Sequence, residues 1–342
     1  MQEILNIIQN GETLHQDQMM ACMDGIMSGQ WSEPQIAAFL MGLSMRGETV
    51  DEITGAARIM REKAASISAP SGAVDCCGTG GDHSGSYNIS TAVALVVAAC
   101  GIPVAKHGNR SASSKSGAAD VLEALGVNLD ISLEQTEKAL TKFGFAFLMA
   151  PNHHSAMKYV VPVRKALGVR TIFNLLGPLA NPAGTQYQLI GVYDRKWVRP
   201  MAETLKSLGT KAAWVVHGAD GMDEITTTDE TYAACLKDGE ITECVLTPED
   251  FGIKRATSED LQGGTPSENA KALSDLLNGK KSAYRDIVLV NSAAVIQLGG
   301  AESGIKVSSL KDTTKIAANA IDSGKAMEVL QKYASFSNGK DT

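Results

Sequence analysis

Two adjacent carboxylates, Asp223 and Glu224, stand in the run Gly218-Ala219-Asp220-Gly221-Met222-Asp223-Glu224-Ile225-Thr226. Such a pair in a glycine-containing loop suits magnesium, a hard cation held by one or two protein carboxylates and by substrate phosphates. Alone, the motif equally describes an acidic surface turn. Two other segments weigh against that. In Gly78-Thr79-Gly80-Gly81-Asp82 the glycines let the backbone close on a bulky anion and adopt positive φ. Behind it, Asn88-Ile89-Ser90-Thr91 reads as a helix start, where free N–H groups and the dipole favour negative charge. The third segment, Lys106-His107-Gly108-Asn109-Arg110-Ser111-Ala112-Ser113-Ser114-Lys115-Ser116-Gly117, offers three cations, an amide and four hydroxyls to anionic oxygen. Neither glycine-containing loop is a nucleotide-binding P-loop or a dinucleotide fingerprint, because the required Lys-Ser/Thr and the GxGxxG spacing are missing.

These segments need a scaffold. From residue 73 short apolar runs alternate with helical patterns: strands over 74–77, 102–105, 145–149, 188–193 and 212–216, and helices over 90–100, 117–125 and 132–144. Strand–helix alternation implies a mostly parallel sheet covered by helices. Loops that follow successive strands then meet at one sheet edge, where ligands of such folds bind. A hairpin over 231–245 turns at Asp238-Gly239, and helices return over 265–277, 287–298 and 310–334. Residues 1–69 read as a separate helical unit. Its starts are Thr13 with Gln16, Ser32 with Gln35 and Thr49 with Glu52, and a linker over 69–72 follows. The expected organisation is an α-helical domain over 1–69, completed by helices from about 154–180, and an α/β domain over 73–342.

Composition narrows the function. At 342 residues, 44% hydrophobic and 20% charged, the chain can bury a sizeable core. A net charge of −7 argues against broad nucleic-acid binding, which needs a basic face. The apolar run over 93–100 is too short to span a membrane and the first residues do not resemble a secretory signal, so a cytoplasmic protein is expected. The six cysteines lack CxxC spacing and read as small hydrophobes in a reducing compartment. His153-His154 lacks ligand-spaced partners for zinc, so packing or acceptor-channel lining is expected.

Together these segments resemble the anthranilate phosphoribosyltransferase family. The likeness runs along nearly the whole chain: GTGGD with NIST, KHGNRSASSKSGAADVLEALG, HHSAMKYVVPVRKALGVRTIFNLLGPLANPA and HGADGMDEIT. The long third block is the most specific. The resemblance implies transfer of a phosphoribosyl group from 5-phosphoribosyl 1-diphosphate (PRPP) to anthranilate, in tryptophan biosynthesis. It implies that Gly78, Gly81, Asp82, Ser86, Asn88, Ser90 and Thr91 bind PRPP, with Lys106, Asn109, Ser113 and Ser114 lining the second loop. Two Mg2+ ions per site are implied, one on Ser90 and one on Asp223 and Glu224. Anthranilate would meet Gly78, Asn109 and Arg164, whose guanidinium suits a carboxylate. A homodimer through the Met-rich helical region is also implied. No general base is assigned, since an aromatic amine is already neutral at pH 7.

The sequence departs from the family pattern at His83, Ser86, Tyr87, Ala118, Ser155 and Tyr159. Two rival readings are a pyrimidine nucleoside phosphorylase and a non-catalytic nucleic-acid-binding relative on the same scaffold. The Asp223-Glu224 pair and the NLLGPLANP string speak against the first, and the intact motifs and acidic balance against the second.

Overall fold

A computed structural model of the chain describes residues 2–111 and 115–340, so Ser113 and Ser114 lie outside the described residues. Seven strands form one sheet: β1 (Val74–Gly78), β2 (Val104–Gly108), β3 (Phe145–Met149), β4 (Tyr187–Gly191), β5 (Ala212–Gly218), β6 (Thr231–Lys237) and β7 (Glu240–Leu246). Their order in space is β3-β2-β1-β4-β5-β6-β7. The first five run parallel, and β6 and β7 add an antiparallel hairpin. The chain winds outward from β1 through β2 and β3, then returns to place β4 on the other side of β1. The two windings diverge between β1 and β4, the switch point at which a doubly wound sheet opens a crevice.

Side chains alternate along the strands and divide two cores. Ala212 and Val216 of β5 and Ala233 of β6 face one core; Ala213, Val215, Ala234 and Leu236 face the other. The first core takes helix Ile89–Ala99, nine of whose eleven residues are buried, against helices Ala283–Gly299 and Lys325–Ser337. A helix apolar all round must be covered on every side, and this one is. Each buried Val or Leu there contributes about 1.5–3 kcal/mol. The second core joins Met19, Phe39 and Ile53 of the N-terminal helices to Val163, Phe173 and Leu176, and to Met201 and Leu205 under the sheet. The N-terminal helices therefore share one core with residues 160–180 and with a face of the sheet.

Three local expectations differ. The helix expected over 310–334 is two, Leu310–Asp322 and Lys325–Ser337, broken where Gly324 takes φ +78°. Thr13 does not start its helix: the Leu14 N–H is taken by Glu52 Oε1 at 2.9 Å. The helix begins at Gln16, with Gln18 accepting from the His15 N–H at 3.0 Å. β2 begins two residues late because Pro103 has no N–H to pair, and continues through Lys106 and His107, both buried. The box at Thr49 forms, and Ser132 and Thr265 cap their helices in the same way, each hydroxyl accepting from the N–H three residues on. Cys22 and Cys76 are buried, whereas Cys244 is exposed with its sulfur 4.0 Å from that of Cys235. Among the described residues no helix is long and apolar enough to cross a membrane.

Candidate active site

The C-terminal ends of β1 and β2 open on a cleft of about 640 Å3. From the end of β1 and the segment beyond it, Gly78, Gly81, Asp82, Ser86, Asn88 and Ser90 line it; from β2 and the loop beyond it, Lys106 and Asn109 do. Asp223 and Glu224 enter from beyond β5, and Arg164 from helix Val161–Leu167. Of the described candidates, Thr91 alone is not in the lining: it is buried, and its hydroxyl has no partner. The four groups Gly81, Ser90, Lys106 and Glu224 thus share one cleft.

The acidic loop reaches the cleft because two strands end in glycine. A β-carbon at Gly78 would lie 2.2 Å from Asp223 Oδ2, and one at Gly191 would lie 1.6 Å from the Asp223 carbonyl oxygen. The Asp223 carboxylate accepts from the Gly80 N–H at 2.7 Å. Behind it, the buried Asn291 accepts from the Ile225 N–H at 3.0 Å and donates to the Ile225 carbonyl at 2.8 Å, pinning the residue next to Glu224. Asp220 has another task. It accepts from the Thr226 hydroxyl at 2.6 Å and the Met222 N–H at 3.1 Å, folding the loop on itself.

Burial, then the neighbouring Asp82, pushes the Asp223 carboxyl up to about 8. Burial and Asp223 hold Glu224 well above the usual carboxylate range, with the Lys106 ammonium pulling the other way. Lys106 is 1% exposed and donates to the Cys76 carbonyl at 2.8 Å, so it is an internal counter-charge for Glu224 and the buried Asp75. Among the described residues no three His, Cys, Asp or Glu side chains group closely enough to hold a metal unaided. Crowded carboxylate oxygens short of one positive charge fit magnesium, which leaves coordination positions to phosphate and water.

The turn itself is held from outside. Arg170 donates to the Gly81 carbonyl, lies 4.2 Å over the Tyr193 ring, and offers its own carbonyl to the Ser44 hydroxyl at 3.1 Å. Motif spacing gave Arg170 no mark. His83 sits at φ +58°, a conformation glycine adopts freely. In the second loop Arg110, also in the cleft wall, pairs with Asp120 and Glu123. Asp120 closes that loop by accepting from the Ser111 and Gly117 N–H groups at 3.1 and 2.9 Å. The Asn88 amide is committed too, donating to the Ser116 carbonyl at 3.0 Å and accepting from Asn269 at 2.9 Å.

Opposite these loops, Phe173, Asn174, Gly177 and Pro178 form a wall beside Arg164. Arg164 had the look of an exposed helix residue, but it is half-buried and 5.6 Å from the Phe173 ring; burial lowers its pKa. His107 Nδ1 lies 3.2 Å from the Gly177 carbonyl, and its ring is 5.3 Å from that of His154. Burial, with each other's or His153's proximity, drives His107 down to about 3 and His154 to about 4. His153 Nδ1 meets the Ala65 carbonyl at 2.7 Å.

Two family models match the chain. The helical bundle domain of a glycosyl transferase family matches residues 2–64, and its α/β domain matches residues 71–327. An anthranilate phosphoribosyltransferase from Azospirillum brasilense is 55% identical, spanning 100% of this chain and 94% of its own. The solved anthranilate phosphoribosyltransferase of Thermus thermophilus has a TM-score of 0.91 at 42% identity, covering 98% of this chain and 99% of its own. The Saccharomyces cerevisiae enzyme, solved in complex with PRPP and Mg, has a TM-score of 0.86 at 26% identity, covering 95% and 94%.

Proposed function

The chain belongs to the anthranilate phosphoribosyltransferase family, and from that membership we infer its reaction. It transfers the phosphoribosyl group of PRPP to the amine of anthranilate, giving N-(5-phosphoribosyl)anthranilate and diphosphate, a step in L-tryptophan biosynthesis. The observation that carries the reading onto these residues is the convergence of the glycine turn, the second loop, the acidic pair and Arg164 on one cleft at the β1/β4 switch.

The reaction uses magnesium. We assign two ions to the site, one at Ser90 and one at Asp223 and Glu224, where they offset charge on the departing diphosphate. Residues 81–82 and the first turn of helix Ile89–Ala99 present N–H groups to that diphosphate, while the Thr79 and Gly80 N–H groups hold the turn to Gly191 and Asp223. Asn109 faces the ribose and the acceptor together. Arg164 receives the anthranilate carboxylate and aims the amine at C1, so the two substrates are oriented in one cleft and no base has to deprotonate the amine first. Ser113 and Ser114 extend the second loop's donors, and Thr91 supports the helix start from behind. A homodimer in the cytoplasm completes the proposal; Met45, 82% exposed on helix Glu33–Arg46, and half-exposed Val161 and Val169 support the dimer.

Anthranilate fluorescence, followed with PRPP and Mg2+ and with each omitted in turn, tests the reaction. Loss of signal should require all three; consumption without PRPP or without Mg2+ refutes it. Asp223→Asn with Glu224→Gln should shift the magnesium dependence, and an unchanged dependence removes the assignment of those ligands.

A further inference from the structure

Three loops of the cleft are joined by a directional chain of hydrogen bonds through Asn269, a residue of the cleft wall to which no substrate contact is assigned above. The Gly264 N–H donates to Asn269 Oδ1 at 2.7 Å, Asn269 Nδ2 donates to Asn88 Oδ1 at 2.9 Å, and Asn88 Nδ2 donates to the Ser116 carbonyl at 3.0 Å. Main-chain groups fix both ends: the first can only donate and the last can only accept. Each amide therefore has one orientation, and neither can flip without breaking the chain. Asn269 is 2% exposed, so water cannot take over a lost bond there.

The surroundings make this chain a brace. Asn269 lies in the first turn of helix Pro266–Leu277, which the Thr265–Glu268 box anchors. Just before that helix, the Gly263 N–H donates to the Gly85 carbonyl at 2.8 Å, the Leu261 carbonyl accepts from the Tyr87 N–H at 3.2 Å, and Gln262 donates to the Ser84 carbonyl at 3.2 Å. A β-carbon at Gly263 would stand 2.6 Å from the Ser86 carbonyl oxygen, so the two segments lie in direct backbone contact. Residues 261–264 are thus laid along the far end of the glycine-rich turn. Asn88 carries the link onward to the second loop, and Tyr284 fixes the Asn88 carbonyl at 3.2 Å.

We infer that Asn269 is a positioning residue for PRPP: by orienting the Asn88 amide it sets the separation of the two donor-rich loops that grip the sugar diphosphate. This rests on the reading of the cleft as the PRPP site. It also gives the Asn88 side chain a role: its oxygen, which accepts from Asn269 and from the Ser116 hydroxyl at 3.2 Å, and one of its two amide N–H groups are engaged in the brace before any substrate arrives.

The discriminating variant is Asn269→Asp. It keeps the oxygen that accepts from Gly264 and removes the donor that faces Asn88, so the helix start survives and the brace does not. The expected result is a lowered Tm, because a buried carboxylate oxygen then faces Asn88 Oδ1, together with a roughly tenfold rise in KM for PRPP, the scale of one lost hydrogen bond. The KM for anthranilate and kcat should each move by less than about threefold, a split that loss of stability alone does not produce. The thermal shift given by PRPP with Mg2+ should shrink in parallel. Asn269→Ser, which empties both positions with little change in bulk, should show the same split if the Asp variant fails to fold. The inference is overturned if the folded variant keeps its KM for PRPP within about twofold, or if both KM values rise by one factor. A wild-type protein that does not consume PRPP and anthranilate sinks the underlying reading; an active wild type with an unaltered variant sinks only the brace.

Discussion

The Gly80 N–H donates to the Asp223 carboxylate at 2.7 Å, across the gap where β1 and β4 part. The glycine turn and the acidic loop are therefore one rigid unit before any ligand binds. Asp223 is pressed so closely on the strand ends that only glycine fits at positions 78 and 191.

Gly191→Ala should break that unit. Its β-carbon would fall 1.6 Å from the Asp223 carbonyl oxygen, a main-chain atom that can yield only by moving the acidic pair. A stability loss of about 1–3 kcal/mol is expected, as for other overpacked sites. Magnesium titration of the surviving activity should show a higher half-saturation than the wild type; an unchanged value would mean the pair tolerates displacement.

Arg164→Ala should raise KM for anthranilate roughly ten- to hundredfold, the worth of one charge-assisted bond, and leave KM for PRPP nearly unchanged. Arg164→Lys should restore part of the loss, because an ammonium supplies charge without the planar fork. Initial rates with each substrate varied in turn decide it. An equal rise in both KM values would place Arg164 outside the acceptor site.

Acid should destabilise the protein through His107 and His154. Burial holds both neutral, at about 3 and about 4, while in the unfolded chain they titrate near the ordinary 6.5. Below about pH 6.5 the unfolded state takes up protons that the folded state refuses, so their contribution is complete above that pH and is lost as pH falls towards about 4. For His154 that loss reaches about 2 kcal/mol by about pH 5. His154→Asn should flatten the fall of Tm between about pH 7 and 5; an identical slope would locate the acid sensitivity elsewhere.

His83 occupies left-handed backbone at φ +58°. His83→Gly should leave stability unchanged or raise it by up to about 1 kcal/mol, whereas His83→Val should lower it by about 1–2 kcal/mol, because a β-branched side chain fits that region worst. Thermal unfolding of both variants reads the difference, and a Val variant as stable as the Gly one would contradict it.

Strand and helix order, the hairpin at Asp238-Gly239 and the meeting of the three motifs were legible because they rest on local signals: periodicity, capping pairs and glycine punctuation. What could not be read depends on partners distant in sequence. Nothing near Lys106 reveals that its ammonium donates to Cys76, and nothing near Arg110 that its guanidinium pairs with two carboxylates of helix Ala118–Ala124. Asn291, Asn269 and Arg170 likewise look like ordinary polar residues until the fold brings them to Ile225, Asn88 and Gly81. The Gly324 break was legible in principle, but the apolar periodicity on either side of it hid the stop.

Peptide amides are anonymous: they come with every residue except proline. A cradle built from the turn after β1 thus draws its donors from the main chain and not from the side chains at 83, 86 and 87. The immovable positions are the silent ones, Gly78 and Gly191, where the only requirement is that nothing be present.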